Sequence, residues 1–254
     1  KISEPITTKD DDLLIKIACT AMTGKGAESY KEKLADIAVK AVKQIADGNN
    51  IDITNVKIDK KVGGGVEDSE LIQGIVIDKE RVHPAMPRQI KNAKILLLDI
   101  ALEIKNTETE AKIQITDPKG LKLFVDQEEK ILKDMAERVI KTNATLVFCQ
   151  KGIDDIAQHY LAKKGIFAAR RIKKSDMEKL ARATGATIVS NLNDISQKEL
   201  GSAGIVEEIK IGEEELTYVR ECKNPKAVNI LIKGGTENVI AEIERAMNAA
   251  IGDV

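Results

Sequence analysis

Lys226-Ala-Val-Asn-Ile-Leu-Ile-Lys-Gly-Gly-Thr-Glu-Asn-Val-Ile-Ala-Glu-Ile-Glu-Arg-Ala-Met-Asn-Ala-Ala250 divides into three pieces. Ala227–Ile232 is a short apolar run, the pattern of a strand buried on both faces. Gly234-Gly235-Thr236 supplies a turn and a helix N-cap. Beyond it Val239, Ile240, Ile243, Ala246, Met247 and Ala250 recur at helical spacing. Such a stripe requires a partner surface.

The first 50 residues supply one. Thr8 precedes a carboxylate-rich first turn (Asp10, Asp11), after which Leu13, Leu14, Ile17, Ala18 and Ala21 fall on one helical face. A second helix follows Thr23-Gly24-Lys25-Gly26, with Tyr30, Leu34, Ile37, Ala38, Ala41, Val42 and Ile45 on its stripe and Gly48 at its end. Short extended runs come next, at Ile51/Ile53, Val56/Ile58 and Ile75–Ile77, and then a strand over Lys94–Leu98. Further strands are expected at Thr145–Cys149, Ile166–Ala169 and Ala186–Val189, and helices lie between them. Ser175 and Glu178 have capping-box spacing, and Gly185 suits a left-handed C-cap. Ile205–Ile211 and Leu216–Arg220 read as a hairpin. The fold class is α/β with antiparallel additions. Asn106–Thr142 is too long for a loop between adjacent strands and reads as a protrusion, with a charged helix after Asp117-Pro118.

Composition narrows the function. Forty basic residues nearly balance 41 acidic ones, which argues against a nucleic-acid binder held by bulk charge. Aromatics make up 2% of residues, without Trp, so base stacking is poorly served. Abundant Lys and Glu would suit surface ion-pair networks. Cys19, Cys149 and Cys222 have no metal-like spacing, and His83 and His159 are the only histidines, so no metal site is expected. No run of 18 apolar residues exists and Lys1–Pro5 is not a signal peptide, so no membrane partner and a soluble, cytoplasmic protein are expected.

An ordered set of motifs carries a resemblance along the whole chain. It includes Thr23-Gly24-Lys25-Gly26, Gly64-Gly65-Val66-Glu67-Asp68-Ser69-Glu70, His83-Pro84-x-Met86-Pro87, Gln150-Lys151-Gly152-Ile153-Asp154-Asp155, Ala157-Gln158-His159-Tyr160-Leu161, Cys222-Lys223-Asn224-Pro225 and Gly234-Gly235-Thr236. Together they resemble the group II chaperonins, the archaeal thermosomes and the eukaryotic cytosolic chaperonin. The resemblance implies an intermediate domain over about 1–73 and 226–254, with an apical domain, 74–225, inserted in it. The apical domain would carry β-sheets flanked by helices and a helical lid at about 106–142. The family's equatorial ATP-binding domain, with its Gly-Asp-Gly-Thr-Thr segment, has no counterpart in these residues. ATP and Mg are implied for the full-length parent and not for this chain alone. The implied partners are unfolded proteins and identical or homologous subunits in a double ring.

Several candidate sites follow, each with a plain alternative. Thr23–Gly26 is no P-loop, because Cys19 stands where the first Gly belongs and no Ser or Thr follows Lys25. It is a helix–helix turn, to which the resemblance adds a nucleotide-sensing role for Lys25 and Gly24. Gly234-Gly235-Thr236 has the geometry of an anion site, which would suit a small α/β enzyme acting on a phosphorylated ligand; the plain reading is a capped turn. The family's hydrolytic Asp corresponds to Ala249, where a methyl group cannot orient water. Asn248 lies around the helix from it, and Asp253, one turn on, is read as facing elsewhere. Leu121, Leu123, Phe124 and Val125 are too contiguous for one narrow face, so some should be exposed as client or lid contacts, whereas Ile131, Leu132, Met135 and Val139 read as core. The resemblance places Gln158, His159 and Lys163 toward clients; a histidine there is otherwise an ordinary packing residue. A passive scaffold module is the third reading. The acidic runs Asp10–Asp12, Glu128/Glu129 and Glu213–Glu215 read as solvated faces.

Overall fold

A computed structural model of the chain describes residues 6–7, 10–46, 50–104, 118–211 and 214–254. Thr8, Gly48, Asp117, Gly212, Glu213 and the first part of the expected protrusion, 106–117, lie outside the described residues. The chain forms two compact units, Lys1–Val76 with Asn224–Val254, and Ile77–Lys223.

In the discontinuous unit, α1 (Asp11–Met22) packs against α2 (Lys31–Ile45) and α6 (Glu237–Asp253), which in turn pack on one face of a three-stranded sheet. Strand β10 (Val228–Gly234) is its centre, parallel to β1 (Val56–Val62) and antiparallel to β2 (Glu70–Ile72). Ile240, Ile243, Ala246, Met247 and Ala250 of α6 join Leu14, Ala18 and Met22 of α1 and the α2 stripe in one core. The orphan stripes at the two ends of the sequence are therefore each other's partners. Leu13, Tyr30 and Val239 depart from expectation and are exposed. Leu13 and Val239 sit at the margins of stripes wider than the buried seam, and Tyr30 lies in the 3₁₀ turn Glu28–Tyr30 that precedes α2. Ile53–Asn55 is a short 3₁₀ turn capped by Asp52, not a strand.

In the inserted unit, β4 (Gln89–Leu98), β5 (Leu146–Cys149) and β6 (Phe167–Ala169) run parallel, with the short β7 (Ile188–Val189) also beside β4. The hairpin of β8 (Gly201–Ile211) and β9 (Glu214–Arg220) extends the sheet antiparallel from β4. Strand β3 (Ile75–Ile77), at whose last residue this unit begins, forms the edge beside β9. Helices α3 (Pro118–Lys141), α4 (Asp155–Lys163) and α5 (Lys174–Thr184) complete the unit. The architecture is α/β as expected. Gly185 ends α5 at φ +75°, a region that costs a residue with a Cβ. The expected Ser175–Glu178 capping box is absent, because α5 already starts at Lys174 and no side chain caps it. Its start is set by tertiary anchors instead: Ile172 is buried, and its N–H donates to Cys149 O at 3.1 Å.

Candidate functional site

Two places hold the candidate residues. The first is α6 and the α1–α2 turn. Thr236 caps α6, its Oγ1 accepting from Val239 N at 3.3 Å. A Cβ on Gly234 would sit 2.9 Å from Ile240 Cγ1, so close packing explains that glycine. Glu237 occupies the first turn, where it complements the helix dipole. The Gly-Gly-Thr turn is thus accounted for without a ligand.

The turn after α1 is held by Gly24 N donating to Glu28 Oε1 at 2.9 Å and Thr23 Oγ1 donating to Cys19 O at 3.1 Å. Gly24 and Gly26 have φ +77° and +70°. Lys25 is half-buried and Gly24 exposed. A Cβ on Gly26 would lie 3.6 Å from Glu242, so the turn rests against α6. Ala249 lies seven residues beyond Glu242, on the same face and roughly 10 Å further along the axis. It is half-buried, and Asn248 beside it is exposed. Asp253 corrects the sequence reading: four residues on, it is only about 40° around the helix from Ala249 and shares its side. Asp253 lines an open cleft of about 560 Å³ with Leu13, Lys16 and Ile17. Among the described residues no three His, Cys, Asp or Glu side chains converge as a metal site.

The second place is α3 with α4. Leu132, Ala136 and Val139 on the later turns of α3 are buried. Ala136 and Val139 join Ala157 and Leu161 of α4 in the core of this unit, with Met135 and Ile140 packed against it. On the earlier turns Leu123 is 70% exposed, Val125 52% and Phe124 38%. The Leu121 side chain lies outside the described set. Ile131 is exposed rather than in the core, because the packed stretch starts one residue later. Tyr160 OH donates to Glu129 Oε1 at 3.3 Å and Lys133 Nζ stands 5.8 Å from the Tyr160 ring centre, which ties α3 to α4.

On α4, His159 and Lys163 are exposed. The His159 ring meets those of His83 and Tyr160 edge-on, at 6.2 and 6.1 Å. Gln158 does not face outward. It is 4% exposed, and its Nε2 donates to Ile153 O at 2.7 Å and Asp155 Oδ1 at 3.0 Å. A buried amide needs such partners, and both of its N–H donors are spent inside the unit. Sequence reasoning also missed Glu208, whose side chain is buried between Arg81 and Arg88 and fastens the loop before β4. The hydrophobic alternation of β8 gives no signal for it.

A sequence model of the TCP-1/cpn60 chaperonin family matches residues 1–254. The chain is 56% identical to a thermosome subunit of Methanopyrus kandleri over 258 aligned residues, covering all of this chain and 47% of that one. It is 56% identical to thermosome subunit beta of Archaeoglobus fulgidus, covering 99% of this chain and 47% of the relative. The chain thus spans about half the length of these relatives. Among solved structures, the open-state monomer of a group II chaperonin from Methanococcoides burtonii superposes with a TM-score of 0.78 at 45% identity, over 98% of this chain and 57% of that one.

Proposed function

The chain belongs to the TCP-1/cpn60 chaperonin family, and from that premise we propose that it is the intermediate and apical part of a group II chaperonin subunit. In this reading the discontinuous unit is the intermediate domain and the inserted unit the apical domain. The whole protein is a molecular chaperone that captures non-native proteins and shuts a built-in lid over them. It works in the cytoplasm, in a double ring of identical or homologous subunits. ATP and Mg bind the full-length parent, on residues outside this chain, and Lys25 and Gly24 sense the nucleotide from the turn after α1.

One observation carries the reading. Leu123, Phe124 and Val125 stand in solvent on an arm whose later turns are firmly packed. Apolar side chains held out on a rigid root suit a contact that forms and releases. With Leu121 they serve as client and lid contacts. His159 and Lys163 add weak polar contacts. Weakness is useful, because capture must not outcompete a client's own folding, worth about 5–15 kcal/mol.

The test is suppression of aggregation of a denatured protein by the purified chain without ATP. Suppression is expected, and replacing Leu121, Leu123, Phe124 and Val125 by Ser should abolish it. An enzyme or a passive scaffold predicts no suppression from the start. At position 249 a methyl group can neither accept a proton nor orient water. The full-length parent should therefore bind ATP and turn it over slowly, and Ala249→Asp should raise steady-state hydrolysis by about 10²–10⁴-fold. A normal rate with Ala249 in place would remove this role for the position.

A further inference from the structure

Asn229 is the polar exception at the centre of β10. Val228, Ile230 and Ile232 pack into the helical core of the discontinuous unit, and Leu231 is buried as well. Asn229 is fully buried between them, and its Oδ1 has no hydrogen-bond partner. Its Nδ2 donates to Asp59 Oδ2 on β1 at 2.6 Å, and that oxygen lies 3.4 Å from Lys57 Nζ. For stability alone Asn229 is a poor choice. A buried carboxamide with an orphan oxygen carries a desolvation cost that an apolar side chain would avoid.

What the Asn229–Asp59 pair delivers is register. Strands β1 and β10 are parallel, with Val56 opposite Val228, Ile58 opposite Ile230 and Lys60 opposite Ile232. A slip of one residue would turn Val56 and Ile58 away from the core they pack against. A slip of two residues keeps every side chain on its own face, so hydrophobic alternation does not exclude it. Sliding β1 toward the start of β10 sets Lys60 opposite Ile230, in the middle of a buried strand, and takes it from Glu244, which it meets at 2.9 Å. The cost of burying an ammonium excludes that register. Sliding β1 toward the end of β10 is different. Val56 then faces Ile230, Ile58 faces Ile232, Lys60 moves out to Gly234, and Asp59 gains Lys233 as an opposite charge. Lost are the Lys60–Glu244 pair, exposed and of little weight, and the acceptor of the buried Asn229 amide. The bond from Gly63 N to Gly234 O at 2.9 Å does not decide between registers, because backbone groups are alike at each.

We propose that Asn229, through Asp59, is a positioning residue that fixes the register of β1 on β10. The two strands lie on either side of residues 77–223, so their pairing is long-range and no short turn sets it. A lone buried Asn that selects one register at a cost in stability has the same role in coiled coils. The pin lies wholly within the discontinuous unit and does not depend on chaperone activity.

The test uses the whole chain with Cys19, Cys149 and Cys222 replaced by Ala. Lys61→Cys/Lys233→Cys reports the observed register, in which these residues are opposite. Lys61→Cys/Gly235→Cys reports the slip. Two residues out of step, these Cα atoms stand about 8 Å apart by strand geometry, beyond the roughly 7 Å that a disulfide spans. The slip sets them opposite, and a Cβ at Gly235 meets nothing within 4 Å. Each reporter is combined with Asn229→Val and, because that change leaves Asp59 without its amide, with Asn229→Val/Asp59→Val. The slipped disulfide should rise by about tenfold or more over the parent, with no fall in melting temperature. Asp59→Asn keeps a carbonyl acceptor for Asn229 and should hold the slipped disulfide at the parent level. A lower melting temperature with the slipped disulfide unchanged, in whichever apolar variant folds, would make Asn229 an ordinary stabilising residue and overturn the pin. So would an unchanged slipped disulfide alone. Failure of both apolar variants to fold would overturn it as well, because the sheet would then need Asn229 in order to form at all.

Discussion

Burial pushes the Cys149 thiol up to about 12 and the Cys222 thiol up to about 11. For Cys149 desolvation is the first cause; a backbone bond from Lys151 opposes it, and the Glu103 and Asp99 carboxylates add to it. Both groups ionise more readily once the chain unfolds, near the ordinary thiol value of 9.0. Below pH 9 the neutral thiols bear no penalty in either state. As pH rises toward 12 the unfolded chain loses these protons first, and stability falls. A thermal-melting series should show this decline over that window, and Cys149→Ala/Cys222→Ala should flatten it. At pH 8 an alkylating reagent should modify the half-buried Cys19 and spare the other two until denaturant is added. Thr236 permits a similar single-residue test. Thr236→Ala removes the hydroxyl that accepts from Val239 N and should lower stability by about 1 kcal/mol in a denaturant titration.

At the scale of elements, α3 has two unlike halves. Leu132→Ala empties a packed site and should cost about 2–5 kcal/mol. Leu123→Ser, Phe124→Ser and Val125→Ser touch exposed positions and should each change stability by about 0.5 kcal/mol or less. Equal costs for the two sets, measured by denaturant unfolding, would mean that the arm does not stand free of the core. That difference was partly legible in the sequence, because Leu123, Phe124 and Val125 are contiguous and no single helix face can bury them all. The change from exposed to packed between Ile131 and Leu132 was not legible, since it depends on where α4 lies against α3. Gln158 was misread for a related reason. Helical spacing shows which side a residue occupies but not whether a carbonyl such as Ile153 O waits there to satisfy it. The α5 start was missed because Ile172, anchored on β5, sets it, whereas Gly185 was read correctly because a left-handed C-cap favours one residue type.

Over the whole molecule, periodicity paired the first helices with the last one across nearly the full length of the chain, and packing bears this out in one core. This pairing has a consequence for how the chain folds. The centre of the three-stranded sheet, β10, and the helix that covers it, α6, both come from the returning segment. Residues 1–76 alone hold α1, α2 and two strands that pair with β10. They have neither the central strand nor the α6 stripe, and their buried faces would meet water. Residues 77–223, by contrast, contain all of β4–β9 and α3–α5 together with the core those elements share. The two pieces should therefore behave differently when prepared separately. The 77–223 piece should fold alone and unfold cooperatively, as seen by circular dichroism and near-native amide protection. The 1–76 piece should show little fixed structure until a peptide of residues 224–254 is added, whereupon protection of the β1 amides should appear. Protected β1 amides in 1–76 without the peptide would mean that the sheet does not need β10 at its centre.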